Sequence, residues 1–235
     1  MGATAEDVRV ALRDAGNPKD AVLLQGYFKT DPGQYGEGDV FYGVRAAGTR
    51  AIVKRFRELP LDEIDRLLDD PVHECRLAAV LLLVEQYRHS PDTVFDRYLA
   101  AVRRGRVDNW DIVDSSAPEI VGAQLLERDR SLLFELAASP SLWDRRIAIV
   151  ATHRFIRNGD ATTTLALAEL LVRDREDLMH KAVGWMLREV GKRVDRSALL
   201  GFLDEHAAEM PRTMLSYAIE HLSPEERAHY RAQRS

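Results

Sequence analysis

Three tryptophans, the only ones in the chain, each stand within one helical turn of a charge. Trp110 lies in Asn109-Trp110-Asp111-Ile112-Val113-Asp114, Trp143 in Leu142-Trp143-Asp144-Arg145-Arg146, and Trp185 in Gly184-Trp185-Met186-Leu187-Arg188-Glu189. On a helix, a spacing of three or four residues puts Asp114 beside Trp110, Arg146 beside Trp143 and Arg188 beside Trp185. Electron-rich ring faces next to a fixed carboxylate favour a cation, so the pattern predicts a site for a cationic or electron-poor ligand. Asp114 sits too far into its helix to act as a cap. Asp108, Asn109 and Asp111 suit a cap or dipole role as readily as a chemical one. Glu189 is spaced to pair with Lys192 or Arg193.

The elements that must position these groups read as paired amphipathic helices from Pro60 onward. The expected helices are Leu61 to Leu68, Pro71 or Val72 to Tyr87, Thr93 to Val102, Trp110 to Leu126, Leu132 to Ala138, Leu142 to Ile156, Thr163 to Val172, Leu178 to Val190, Ala198 to Ala207 and Arg212 to His221. Pro224 to Arg234 closes the chain. Second helices restart near residues 71, 109, 141, 177 and 211, at intervals that mark a repeat of helical pairs. Such repeats stack into an α-solenoid, here closest to the HEAT-like class, with second helices lining a concave groove. Residues 1–59 read as an N-terminal helical cap, 60–222 as the repeats and 223–235 as a C-terminal cap, all one domain. Within the first part, Asn17-Pro18 starts a helix, and Asp31-Pro32-Gly33-Gln34-Tyr35-Gly36-Glu37-Gly38 is a turn-rich loop.

Composition narrows the functions available. The longest apolar run, Leu77 to Val84, falls well short of the roughly 20 residues a spanning helix needs. The first residues lack the apolar core of a secretory signal, so the cytoplasm is the expected compartment. One cysteine, Cys75, set in an apolar helical run, reads as a core residue. The histidines at 73, 89, 153, 180, 206, 221 and 229 show no ligand spacing, and neither a metal nor another cofactor is expected. A net charge of −5 argues mildly against a protein that coats nucleic acid. Arginines nevertheless cluster by each tryptophan: Arg103, Arg104 and Arg106, then Arg145 and Arg146, then Arg188 and Arg193. Arginine is the better fork for phosphate oxygens.

Phe41-Tyr42-Gly43-Val44-Arg45 with Arg50, Asn109-Trp110-Asp111-Ile112-Val113-Asp114, Trp143-x-x-Arg146-x-Ala148, and Lys181-Ala182-Val183-Gly184-Trp185-Met186-Leu187-Arg188-Glu189 follow one another across most of the chain. In their order and spacing the chain resembles the AlkD-like family of bacterial DNA alkylation repair glycosylases. The resemblance implies a HEAT-like solenoid that removes cationic N3- or N7-alkylated purines from double-stranded DNA. It implies that Asp114 is the catalytic carboxylate, that Trp110 and Trp185 flank the deoxyribose, and that Arg146 is an active-site arginine near the backbone. Tyr27 matches an aromatic of the N-terminal DNA-contacting region, and Arg45, Trp143, Lys181 and Arg188 fall to DNA binding. Ala46-Ala47-Gly48 stands where relatives commonly carry a proline, and the acidic total departs from strongly basic relatives.

The chemistry agrees with the residues. A purine alkylated at N3 or N7 is already charged and leaves readily, through a sugar with oxocarbenium character. An anion and ring faces held by that cation stabilise it, and the anion also orients water. No lysine is placed as a Schiff-base nucleophile, so a monofunctional enzyme, working as a monomer at the nucleoid, is expected. Two other readings compete: a non-catalytic HEAT-like scaffold for DNA structures or protein partners, and a phosphoryl- or sugar-binding adaptor built on the arginines.

Overall fold

Local sequence signals start the helices. Thr4 and Asp7 form a capping box on α1 (Ala5–Asp14), and the Asn17 side chain accepts from Lys19 N ahead of α2 (Pro18–Tyr27). The loop 31–38 follows, and then α3 (Ala46–Arg55), α4 (Leu61–Leu68), α5 (His73–Tyr87), α6 (Pro91–Arg103) and α7 (Trp110–Ser116). After a π-helical turn, Pro118–Gly122, come α8 (Ser131–Ala137), α9 (Leu142–Ala151), α10 (His153–Arg157), α11 (Thr162–Leu171) and α12 (Asp177–Arg193). The last three are α13 (Arg196–His206), α14 (Arg212–Ala218) and α15 (Pro224–Ala232), the last opened by a Ser223–Glu226 capping box. This computed structural model describes residues 2–233, all helix, turn and loop apart from one isolated bridge between Val40 and Val72. Arg234, where the closing helix was expected to end, lies outside the described residues.

Second helices of the pairs begin at His73, Trp110, Leu142, Asp177 and Arg212. The chain is thus all-α and built of repeated helical pairs, as the periodicity predicts. Two expected helices are interrupted. Trp110 to Leu126 is not continuous, because Pro118 has no amide to donate and Gly122 N reaches back to Ala117 O, widening the turn. Leu142 to Ile156 breaks at Thr152, whose hydroxyl donates to Ile149 O at 2.6 Å. Trp110 opens α7 and Trp143 is the second residue of α9, whereas Trp185 lies midway along α12.

The chain forms two compact units, one through Ser116 and one from Ala117 onward. In the first, α5 is buried from His73 to Leu83 and packs on α1, α3, α4, α6 and α7. In the second, α12 plays that part against α9, α10, α11, α13 and α14. Cys75 is fully buried in the first core, and burial pushes its thiol pKa up. Gly184 lets α12 meet α14 closely, since a Cβ there would stand 2.4 Å from Met214 O.

Gly43 shapes the segment between α2 and α3. Its φ of +87° is left-handed, and a Cβ would fall 2.1 Å from Asn17 O. Gly43→Ala is expected to cost at least about 2 kcal/mol from backbone strain alone, roughly 5 °C in melting temperature. An unchanged thermal melt would show that the segment is not so constrained.

Candidate active site

Helix α7 is short, and its first residues are fixed from several sides. Asn109 is buried and its side-chain oxygen accepts from Trp110 N at 2.8 Å, satisfying one of the free amides at the start of the helix. The Trp110 ring stacks on Phe28 at 5.2 Å and meets Tyr27 edge-on at 5.9 Å. Phe28 in turn stacks on Phe41 at 5.3 Å. Tyr27 is 64% exposed at the end of α2, while Phe28 and Phe41 are buried. Together these rings wall a hollow of about 450 Å³ within the first unit, into which Asp111, Asp114, Glu74 and His73 also face. Arg45 and Arg50 stand at its rim; Arg45 is ion-paired with Asp20 at 2.9 Å, and Arg50 donates to Ser115 Oγ at 3.3 Å. Asp114 lies close enough to Tyr98 that its charge adds to the burial pushing that phenol pKa up.

Beneath the rings is a polar floor. His73, with 2% of its side chain exposed, is held by Asp39 at Nδ1 (3.1 Å) and by Asp111 at Nε2 (2.9 Å). Asp39 also accepts from Arg76 and from the Asn109 amide, and Arg76 reaches Asp108 at 3.2 Å. Burial works against a charged imidazole, but the hydrogen bonds and charges of Asp111 and then Asp39 prevail and hold the His73 pKa up to about 9. Burial likewise opposes ionisation of Asp39, and His73 with Arg76 overcomes it, keeping that carboxyl low. His73 and Arg76 thus sit among the side chains of three acids, Asp39, Asp108 and Asp111, and burial, against the pull of Arg76, pushes the Asp108 carboxyl pKa up. Alongside, the buried Glu74 accepts the amides of Tyr42, Gly43 and Val44 at 3.1, 2.8 and 3.0 Å. An acid-rich floor under aromatic walls favours positive charge in the hollow.

The remaining sequence-predicted residues belong to the second unit. Trp143 is the second residue of α9 and Arg146 follows one turn later, 4% exposed, with Nη1 donating to Leu178 O at 2.5 Å. Trp185 is half-buried on α12, its ring 5.5 Å from His153. Arg188 pairs with Glu220 and, at 3.2 Å, with Glu189, which also takes Arg193 at 2.5 Å. Lys181 pairs with Asp177 at 2.7 Å. The structure therefore groups Asp114, Trp110, Tyr27 and Arg45 around one hollow, and places Trp143, Arg146, Lys181, Trp185 and Arg188 along α9 and α12.

Sequence reasoning missed Asp39, His73, Glu74, Arg76 and Phe28. A signal existed: His73-Glu74-x-Arg76 puts three ionisable groups into the first turn of an otherwise apolar helix, where burial demands partners. The positions of those partners, 30 or more residues away in sequence, carry no local signature.

The geometry can be set beside known proteins. Residues 8–222 match a family described as DNA alkylation repair enzyme. Among solved structures, a predicted DNA alkylation repair enzyme from Enterococcus faecalis is similar, with 17% identity over 89% of this chain and 97% of that one and a TM-score of 0.72. At that identity the likeness speaks for the fold alone. No curated protein matches.

The His73 pKa has a consequence for stability. The folded state binds the proton more tightly than the unfolded state, so the contribution is complete below about 6.5 and is lost as pH rises through about 9. The free energy of urea unfolding is expected to fall between pH 7 and 9.5. That fall should shrink in His73→Gln; an equal fall in both proteins would remove the assignment.

Proposed function

The chain belongs to the DNA alkylation repair enzyme family, and on that premise we propose that it is a monofunctional DNA glycosylase. It hydrolyses the N-glycosidic bond of positively charged N3- or N7-alkylated purines in duplex DNA. The observation that carries this reading is the company Asp114 keeps: a carboxylate facing the same hollow as Trp110, over an acid-rich floor. As the glycosidic bond breaks, positive charge moves from the purine onto the sugar. A carboxylate and an indole face fixed beforehand stabilise that charge without reorganising, which is where most of the rate comes from. The purine leaves as a neutral base and needs no strong general acid.

In this reading Tyr27 and Arg45 at the hollow hold the duplex, as do Trp143, Lys181, Trp185 and Arg188 of the second unit, while Arg146, buried against the Leu178 carbonyl, braces them from behind. Several of these cations already have carboxylate partners. Exposed pairs such as Arg45 with Asp20 are worth little in water, so phosphate displaces the carboxylate at small cost. Recognition from the backbone and sugar side leaves the adduct itself untouched, and the enzyme tolerates bulk at N3. Nothing in the chemistry calls for a metal or an organic cofactor.

Asp114→Asn is expected to slow release of 7-methylguanine by about 10²- to 10³-fold while duplex affinity stays the same or tightens, because a negative charge near phosphates is gone. Full activity in that variant removes Asp114 from catalysis, and absence of base release by the wild-type protein leaves the non-catalytic scaffold. A duplex with a bulky N3 adduct is expected to be processed within about tenfold of its methyl counterpart. Much slower excision would point to an enclosing base pocket instead.

A further inference from the structure

Arginines around α12 are matched by acids: Arg173 by Glu209, Arg188 by Glu220, Arg193 by Glu189 and Arg196 by Glu226. Arg212 and Arg231 are not. Both line one surface hollow of about 280 Å³, together with Leu215 and Ser216. Among the described residues neither guanidinium has a hydrogen bond or an ion pair, and the Ser216 hydroxyl has no partner either. The chain has 38 acidic side chains against 33 of Lys and Arg, yet no acid lines this hollow. Two like charges around one concavity raise its potential, and an anion relieves it.

The hollow continues the surface that α12 presents. Asp177 accepts from Thr213, Gly184 meets Met214 and Tyr217, and Arg188 pairs with Glu220, so α14 runs beside α12 in the same direction and in fixed register. Arg212 and Ser216 are four residues apart and share one side of α14. That side is exposed, as are Tyr217 and Glu220, whereas Met214, Leu215, Ala218 and Ile219 are buried. Helix α15 brings Arg231 to the same place. It is held there by its capping box and by Tyr230, whose hydroxyl donates to Asp204 at 2.8 Å.

We propose that Arg212, Ser216 and Arg231 form a site for a backbone phosphate of duplex DNA, one helical pair beyond the contacts made from α12. The assignment rests on the reading of duplex DNA as the partner. Each guanidinium offers a fork of donors to the non-bridging oxygens, and the serine hydroxyl adds one more. Leu215 gives the hollow an apolar side, which suits the deoxyribose attached to a backbone phosphate better than a fully hydrated free ion. Packed helices stand about 10 Å apart and a duplex rises about 3.4 Å per base pair. The phosphate taken here therefore lies about three base pairs along from those held at α12. Contacts of this kind fix register on the duplex and carry no sequence preference.

The test is duplex Kd against salt concentration for wild type, Arg212→Gln, Arg231→Gln and the double variant, at temperatures where all are folded. The DNA carries one tetrahydrofuran abasic analogue, which fixes the register without reacting. Each arginine removed is expected to reduce the steepness of log K against log salt by about 1 and to weaken binding about three- to tenfold at low salt. Uncharged methylphosphonates are then placed singly along both strands. One position, or two adjacent ones, should weaken the wild type and leave the double variant unmoved. Salt dependence and affinity equal to wild type in all variants overturn the proposal. A methylphosphonate profile that is the same in wild type and double variant does so too, because the lost charge then acts only through the general field. If inorganic phosphate raises the melting temperature of the wild type but not of the double variant, while duplex affinity is equal in both, the site takes a free anion and the DNA assignment falls. Release of 7-methylguanine by the wild type is followed in parallel. Excision without the phosphate signature removes this site and keeps the glycosylase reading, whereas the signature without excision keeps the site and removes the glycosylase.

Discussion

The two-sided grip on the His73 imidazole is the constraint on which the first unit depends. One hydrogen bond goes to Asp39, in the segment that follows the turn-rich loop, and the other to Asp111, one residue into α7. Neither partner is on α5, so a single buried ring ties the core helix to both the loop side and the site helix. Because the ring is charged at neutral pH, each bond is charge-assisted and stronger than its neutral counterpart. Arg76, one turn on, repeats the arrangement with Asp39 and Asp108. Buried charges of this kind are tolerated only when every one is matched. That requirement specifies where α7 begins and which way Trp110 and Asp114 point.

Around this polar floor the energetics are ordinary. The α5 stretch from His73 to Leu83 is buried throughout and gathers the neighbouring helices by apolar packing. Removing that surface from water supplies the driving force. Packing alone would leave α7 free to slide along α5, since apolar contacts are non-directional. The ionic grip removes that freedom, at the cost of desolvating its charges. In the second unit the Glu189 set, with Arg188 and Arg193, serves a similar ordering purpose nearer the surface.

Much of this was legible in the sequence. Helix starts were visible because caps and prolines are local: Leu61 to Leu68 came out as expected, and the second helices begin within about two residues of the predicted restarts. That Trp110 and Asp114 face one hollow is legible too, because their spacing is itself the signal. The break at Pro118 is marked by the proline itself, but the apolar pattern that runs on through Ile120 and Val121 masks it. What the sequence concealed was pairing across distance. Nothing near Asp39 announces His73, and Arg146, which reads as a phosphate fork, proves to be buried and bonded to the Leu178 carbonyl. Phe28 escaped notice for the same reason: its ring matters through Trp110, far along the chain.

The Glu74 cradle bears on how such a protein drifts over generations. Its carboxylate is gripped by main-chain amides at 42, 43 and 44, and an amide presents the same N–H whichever side chain it carries, proline excepted. Positions 42 and 44 are thereby released from any chemical requirement imposed by Glu74, while the acid and the left-handed glycine between them are not. A lineage can exchange the side chains at 42 and 44 and keep the platform beneath α7.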